Sequence, residues 1–326
     1  MHRKPTIGIL SLTLILSGIA LSLPAQEPAP AREIAITFDD LPFGGRGPDL
    51  GLARIWAANE AMLATLRREG VPAVGLVNES KLYVPGEIDE RTALLDRWLD
   101  AGAELGNHTF SHPSLVDTPL AVFEEDVVRG ETVTRWLLER RGRKLHWFRH
   151  PYLRTGLTPE VRSAFEKFLR ERGYTVAPVT VENSDYVFSA AYTQARTRGD
   201  AEAMRRLGEA YVQFTEAQLG FWEGVAQKVV GRPIKHVLLL HANEINADYL
   251  DEVLALLKRR GYRFITLEEA LRDDAYRLPD TYAGPSGVSW LYRWAVSRGV
   301  QIDWGQEPEP PTFVQQLYEA TRPAAR

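Results

Sequence analysis

The chain has 326 residues, 44% of them hydrophobic and 25% charged, which is enough to bury one large core or two modest ones. A net charge of −4 with no basic block argues against a nucleic-acid partner. Cysteine is absent, so disulfides, thiolate metal sites, cysteine nucleophiles and cysteine-linked lipids are all excluded.

The N-terminus reads differently from the rest. His2, Arg3 and Lys4 precede an apolar run from about Ile7 to Leu23, and Leu23-Pro24-Ala25 offers a small-residue exit. That layout predicts a cleaved secretory signal over 1–25 and a periplasmic or extracellular mature protein, with no stable membrane insertion after cleavage. An uncleaved anchor is the alternative, at a length that barely spans a bilayer. A Pro/Ala linker, 26–32, follows.

From there the pattern alternates. Glu33 to Phe38 reads as a strand ending in Asp39-Asp40. Leu52 to Glu69 has helical spacing and stops at Gly70. Val71 to Val77 is a second strand, Glu87 to Asp100 a helix, and Ala103 to Gly106 leads into Asn107-His108-Thr109-Phe110-Ser111-His112. Pro119 to Arg141 is predicted as one long amphipathic helix. Leu145 to Phe148 is strand-like and runs into Arg149-His150-Pro151-Tyr152. Thr158-Pro159 starts the next helix, Thr as cap and Pro in the first turn. Tyr174 to Val181 is predicted as a fifth strand, a long helical stretch covers about 189–229, and Lys235 to Leu240 is an apolar strand ending at His241. Ala247 to Arg259 is helical, Tyr262 to Ile265 a seventh strand, and Leu267 to Arg272 a short helix. Residues 280–326, rich in Gly, Pro and aromatics, break the rhythm and are expected to wrap on the preceding domain.

Seven apolar strands alternating with helices predict an α/β protein whose parallel sheet is buried on both faces. A closed barrel and an open doubly wound sheet both fit the alternation. The barrel is favoured because polar motifs sit at the ends of strands one, three, four, five and six, which converge only at a barrel's mouth.

Two histidines four residues apart with a nearby aspartate form a ligand set that suits zinc and leaves positions open for water and substrate. Asp39-Asp40 as loop caps, and His108 and His112 as surface residues, are the structural alternatives. Trp147, Trp222, Trp290 and Trp294 can stack on sugars but are more often packing.

Taken together these stretches resemble the polysaccharide deacetylase family (the NodB-homology domain, carbohydrate esterase family 4), which is defined by five short motifs in fixed order. The candidates are Thr37-Phe38-Asp39-Asp40, His108 to His112, Arg149-His150-Pro151-Tyr152, Glu182-Asn183-Ser184-Asp185-Tyr186 and Leu239-Leu240-His241. The resemblance implies a distorted (β/α)7 barrel over 33–279, with a helical insertion at about 189–229 and a C-terminal extension over 280–326. It implies that Asp40, His108 and His112 bind one divalent ion, most readily Zn2+, with Co2+, Ni2+ or Mn2+ as alternatives. Asp39 is then the base, clasped by Arg149. Asp185 orients the acid His241, and Pro151 fixes the turn whose Tyr152 N–H binds the oxyanion. Leu239 lines the acetyl pocket and Tyr186 a substrate wall. His150 has no role in the pattern. The fourth motif departs from Asp-x-x-Asp-Trp, with Glu182 for the first Asp and Tyr186 for Trp. The implied activity is metal-dependent removal of N-acetyl groups from an acetylated amino-sugar glycan. An O-acetyl esterase, a non-sugar amide hydrolase and an inactive glycan-binding protein are the competing readings.

Overall fold

A computed structural model describes His2, residues 32–45 and residues 50–322. Nearly all of the predicted export signal and linker lies outside the described residues. The first half runs β1 (Arg32–Leu41), α1 (Leu52–Glu69), β2 (Ala73–Val77), α2 (Ile88–Asp100), β3 (Glu104–Asn107), α3 (Leu120–Arg129), α4 (Thr132–Glu139), β4 (Trp147–Phe148) and α5 (Pro159–Glu171). Then come β5 (Thr175–Val176), β6 (Val181–Glu182), α6 (Asp185–Thr197), α7 (Ala201–Val230), β7 (Lys235–His241), α8 (Glu244–Arg259), β8 (Tyr262–Phe264) and α9 (Leu267–Ala270). Two further helices, α10 (Trp290–Arg298) and α11 (Thr312–Glu319), belong to the C-terminal extension.

Every strand pairing is parallel, in the order β5-β4-β3-β2-β1-β7-β6, with β8 joining the start of β1. β1 and β7 lie inside the sheet, paired to strands on both sides and almost wholly buried, which accounts for their unbroken apolar runs. The two edges, β5 and β6, are consecutive in the chain. Val176 to Val181 is five Cα steps, at most about 19 Å. A flat sheet would separate those edges by six strand spacings, about 29 Å. The sheet therefore curls into a distorted barrel, as expected for the α/β class.

The fifth predicted strand, Tyr174 to Val181, is corrected by this closure. It divides into β5 and β6, and residues 177–180 form the seam between the edges. Ala177 N–H donates to Phe148 O and Thr180 N–H to Val237 O, so the seam is bonded to both sides. Pro178 has no N–H to contribute to a ladder, which is why the apolar run does not continue as one strand.

Two predicted helices are also divided. The 119–141 helix breaks after Gly130, where a Cβ would fall 2.7 Å from the Thr109 carbonyl carbon and 2.8 Å from Phe110 N. Close approach of the helix to the histidine loop requires glycine there. The 189–229 stretch breaks at Gly199 (φ 69°), after which Asp200 caps α7 by accepting from Ala203 N–H. Thr158 caps α5 with Pro159 at its first position, as the sequence indicates.

The extension packs on the barrel through buried Arg293, which pairs with Asp280 at 2.7 Å and donates to Thr155 Oγ1 at 2.6 Å. Trp147, Trp222 and Trp294 are buried in packing, and Trp290 is partly buried. No helix among the described residues is long and apolar enough to cross a membrane.

Candidate active site

The strand ends meet at one cleft of about 610 Å³. β1 delivers Asp39 and Asp40. Consecutive strand residues ordinarily point to opposite faces, but Asp40 has φ 70° and the β1–β2 register shifts between Phe38 and Leu41. That irregularity turns both carboxylates into the cleft. Left-handed backbone recurs at Thr109, His112, Tyr152, Leu153 and Ser184, all in the strand-end motifs, and such strain is characteristic of functional loops.

Asp39 is buried and accepts from Arg149 Nη1 at 2.6 Å. The fully buried Arg149 also donates to Thr37 Oγ1 at 2.8 Å, to Ala177 O at 3.1 Å and to Pro178 O at 3.3 Å. Arg149 thus ties Asp39 to the seam that closes the barrel.

Asp40 Oδ1 lies 3.5 Å from His112 Nε2 and 3.8 Å from His108 Nε2, and one ligand atom from each of the three residues falls within 4.8 Å of the others. Tetrahedral ligands about 2.1 Å from an ion stand roughly 3.4 Å apart, so small side-chain adjustments fit all three to one cation. Two further observations agree with that fit. Asp40 Oδ1 is buried with no hydrogen-bond partner. His108 Nδ1 lies 2.8 Å from Arg149 O, and donation there leaves the Nε2 lone pair facing the cluster. Burial holds His108 below the usual histidine range despite Asp39 and Asp40. Burial and the neighbouring His108 push His112 down to about 3. Burial works against the Asp40 carboxylate, but Lys81 and the three histidines more than offset it and keep it far below the ordinary range. Two neutral imidazoles and one carboxylate are the forms that bind a cation.

His241 pairs with Asp39 in the β1–β7 register. Its Nδ1 is 2.6 Å from Asp185 Oδ1, and its backbone N–H donates to Asp185 Oδ2 at 2.7 Å. Asn243 and Asn246 side chains add donors to Oδ2 at 3.1 and 2.6 Å. Four donors thus converge on the Asp185 carboxylate and fix its position. Burial disfavours the imidazolium, yet Asp185, with Asp40 and Asp39 behind it, raises His241 to about 9. Asn246 is itself held by Tyr211 OH at 2.6 Å, so α7 reaches the site through a buried hydrogen-bond chain.

The remaining predicted residues line or support this cleft. Tyr152 sits in a 3-10 turn after buried Pro151, its ring 4.4 Å from that of His112. Leu239 lines the floor. Tyr186 lies edge-on to His241 at 6.3 Å and to Tyr318 of α11 at 6.2 Å. His150 is buried against the rings of Phe148 and Phe165 and does not line the cleft. Glu182 also faces the cleft, and burial with the nearby Glu307 pushes its carboxyl up to about 7.

One set of residues escaped the sequence reading. The end of β2 carries Asn78, whose Nδ2 donates to His108 O at 2.5 Å, and Lys81, whose Nζ is 3.3 Å from both Asp40 Oδ2 and Asp40 O. β2 thus positions the metal-ligand candidates of its two neighbours. The signal was available, since Asn78-Glu79-Ser80-Lys81 follows its strand as the other motifs follow theirs.

A strand-end cleft with a clasped carboxylate and a carboxylate-backed histidine flanking an Asp-His-His cluster defines a hydrolase. Residues 26–176 match the family model described as Polysaccharide deacetylase. The chain is 23% identical over 247 residues to a peptidoglycan-N-acetylglucosamine deacetylase of Bacillus cereus, covering 74% of this chain and 68% of that protein. In solved structures it is similar to a peptidoglycan deacetylase of Bacillus subtilis (21% identity, 74% of this chain and 93% of that one, TM-score 0.46). A family 4 carbohydrate esterase of Streptomyces lividans gives the same TM-score of 0.46, at 18% identity over 73% of this chain and 95% of that one. Over residues 26–176 the chain is thus similar to the polysaccharide deacetylase family.

Proposed function

We propose that the protein is a metal-dependent N-deacetylase of acetylated amino-sugar glycans, of the peptidoglycan, chitin or poly-N-acetylglucosamine kind. The observation that carries this is the placement of Asp39, clasped by Arg149, and His241, backed by Asp185, on paired strands beside the Asp40–His108–His112 cluster. Those three residues would hold one divalent ion, zinc by the donor set, with Co2+, Ni2+ or Mn2+ as substitutes. When bound, the ion supplies Lewis acidity to the acetyl carbonyl and acidifies water.

The chain's own groups perform the proton transfers. Asp39 accepts a proton from the attacking water, and Arg149 fixes the carboxylate that does so. The Tyr152 N–H, oriented by the turn after Pro151, donates to the oxyanion. Leu239 faces the acetyl methyl, and Tyr186 flanks the sugar. His241 delivers its proton to the leaving nitrogen as the C–N bond breaks, giving acetate and a free amine. A raised histidine favours an amide over an ester substrate, because an amine must be protonated to leave. The name of the Bacillus cereus relative points to the same N-acetylglucosamine chemistry. The basic, apolar and small-residue N-terminus supports export to the periplasm or outside the cell, where such glycans are found.

Acetate release by zinc-loaded protein from chitooligosaccharides, peptidoglycan fragments and poly-N-acetylglucosamine, against acetylated xylan, tests the reading. Asp39→Asn, verified as folded by circular dichroism, is expected to lower the rate by about 10²–10⁴-fold. An unchanged rate in that variant, or release from xylan alone, would remove it.

A further inference from the structure

The fourth motif lacks the tryptophan of the family pattern, and Tyr186 in its place is 47% exposed and turned toward Tyr318. A different aromatic stands beside the floor of the cleft. Leu153, Val179 and Leu239 form a small apolar cluster separate from the main core, and Trp290 of the C-terminal extension packs against it. Leu153 and Leu239 both line the cleft. Trp290 is held by its own N–H donating to Val179 O at 2.8 Å, by Ser289 Oγ donating to Thr180 O at 3.1 Å, and by Arg293, 4.8 Å above its ring. The same segment presses on the Tyr152 turn. A Cβ on Gly287 would lie 1.6 Å from Tyr152 O, so backbone meets backbone there, and Gly284 N–H donates to Gly156 O nearby. Tyr152 and Leu153 have φ of 58° and 55°, a conformation that surrounding structure must hold in place.

We infer that residues 284–290 complete the acyl-binding pocket of this enzyme: Trp290 closes its wall behind Leu153 and Leu239 and limits the acyl group to acetyl, and Gly287 seats the Tyr152–Leu153 turn. This rests on the deacetylase reading and assigns the extension a part in the reaction. Trp290 is a specificity-determining residue and Gly287 a positioning residue. A closed apolar wall discriminates by about 10–200-fold per methylene.

The test compares kcat/KM on N-acetyl, N-propionyl and N-butyryl chitooligosaccharides for wild type, Trp290→Ala and the milder Trp290→Leu. The butyryl-to-acetyl ratio is expected to rise about tenfold or more in Trp290→Ala and less in Trp290→Leu. Gly287→Ala is expected to lower kcat with KM and zinc affinity retained, and its acyl preference should not move toward butyryl. An unchanged ratio in both Trp290 variants overturns the inference, as does a Gly287→Ala enzyme with wild-type kcat. If wild type hydrolyses none of the acyl substrates, the deacetylase reading has failed instead. Binding of butyrate relative to acetate by zinc-loaded wild type and Trp290→Ala, followed by NMR, then decides the pocket without turnover: relative gain of butyrate in the variant upholds it, and no gain refutes it.

Discussion

Histidines on the two sides of the cleft are given opposite properties by the same fold. His108 and His112 on one side, and His241 on the other, all have ring atoms withdrawn from water, and burial alone would make each of them neutral. His108 and His112 stay below the usual histidine range, because burial dominates for each and the carboxylates beside them do not offset it. His241 is raised to about 9, because Asp185 is committed to it and four donors hold that carboxylate in place. The partner behind the ring, rather than the depth of burial, decides whether a histidine serves as ligand or as acid.

Removing that partner should produce the largest effect. Asp185→Asn is expected to return His241 toward an ordinary histidine and to lower kcat by about 10²-fold or more at pH 8. In wild type the alkaline limb of the kcat profile should fall near pH 9, where His241 loses its proton. In the variant that limb should move toward neutrality, which a pH–rate series will show. Stability carries the same signature. A raised folded pKa contributes stability fully below the unfolded value of about 6.5 and loses it as pH rises through about 9. Thermal unfolding of wild type should therefore weaken across that window, and Asp185→Asn should flatten the decline. A variant with the wild-type alkaline limb would break the comparison.

On the opposite side, Lys81→Met frees Asp40 Oδ2 and should weaken metal binding or activity by about 10–100-fold, the usual cost of removing a group that orients a ligand. Lys81→Arg should recover most of the loss. Chelator competition measures the affinity directly, and wild-type affinity in Lys81→Met would show that Lys81 does not position the ligand. Gly130→Ala pushes α3 against Thr109 and Phe110 and is expected to cost about 1–3 kcal/mol by denaturant unfolding, with metal affinity falling as the histidine loop shifts. The smallest effect belongs to Thr158→Ala, which removes the α5 cap far from both sides. It should cost about 1 kcal/mol and leave zinc binding and the pH profile as they are.

The sequence was most legible where chemistry sits on short stretches at strand ends. Asp39-Asp40, His108 to His112, Arg149 and His241 each lie at the end of a predicted strand, so their meeting at one mouth was readable from strand-end placement, though not from alternation alone. The place of the seam was not, because Tyr174 to Val181 is apolar but for two threonines and only Pro178 marks the break. Gly130 and Gly199 sit inside helical periodicity, where a single glycine is tolerated, and only tertiary approach or a left-handed turn shows them to be breaks. Asn78 and Lys81 follow β2 as the other motifs follow their strands, but their part becomes visible only when β2 lies between β1 and β3. Gly287 belongs to a segment whose pattern suggested wrapping, and Trp290 was legible only as one of four tryptophans able to stack on sugars, more often packing.

Arg149 binds the chemistry and the architecture into one object. Its guanidinium grips Asp39 and laces the seam carbonyls of Ala177 and Pro178, with no water to share its charge. Loss of Asp39 strands that cation in the interior, which typically costs about 3–5 kcal/mol. A descendant of this chain without Asp39 would therefore meet a folding penalty as well as any change in chemistry, and is expected to alter the arginine and the seam with it.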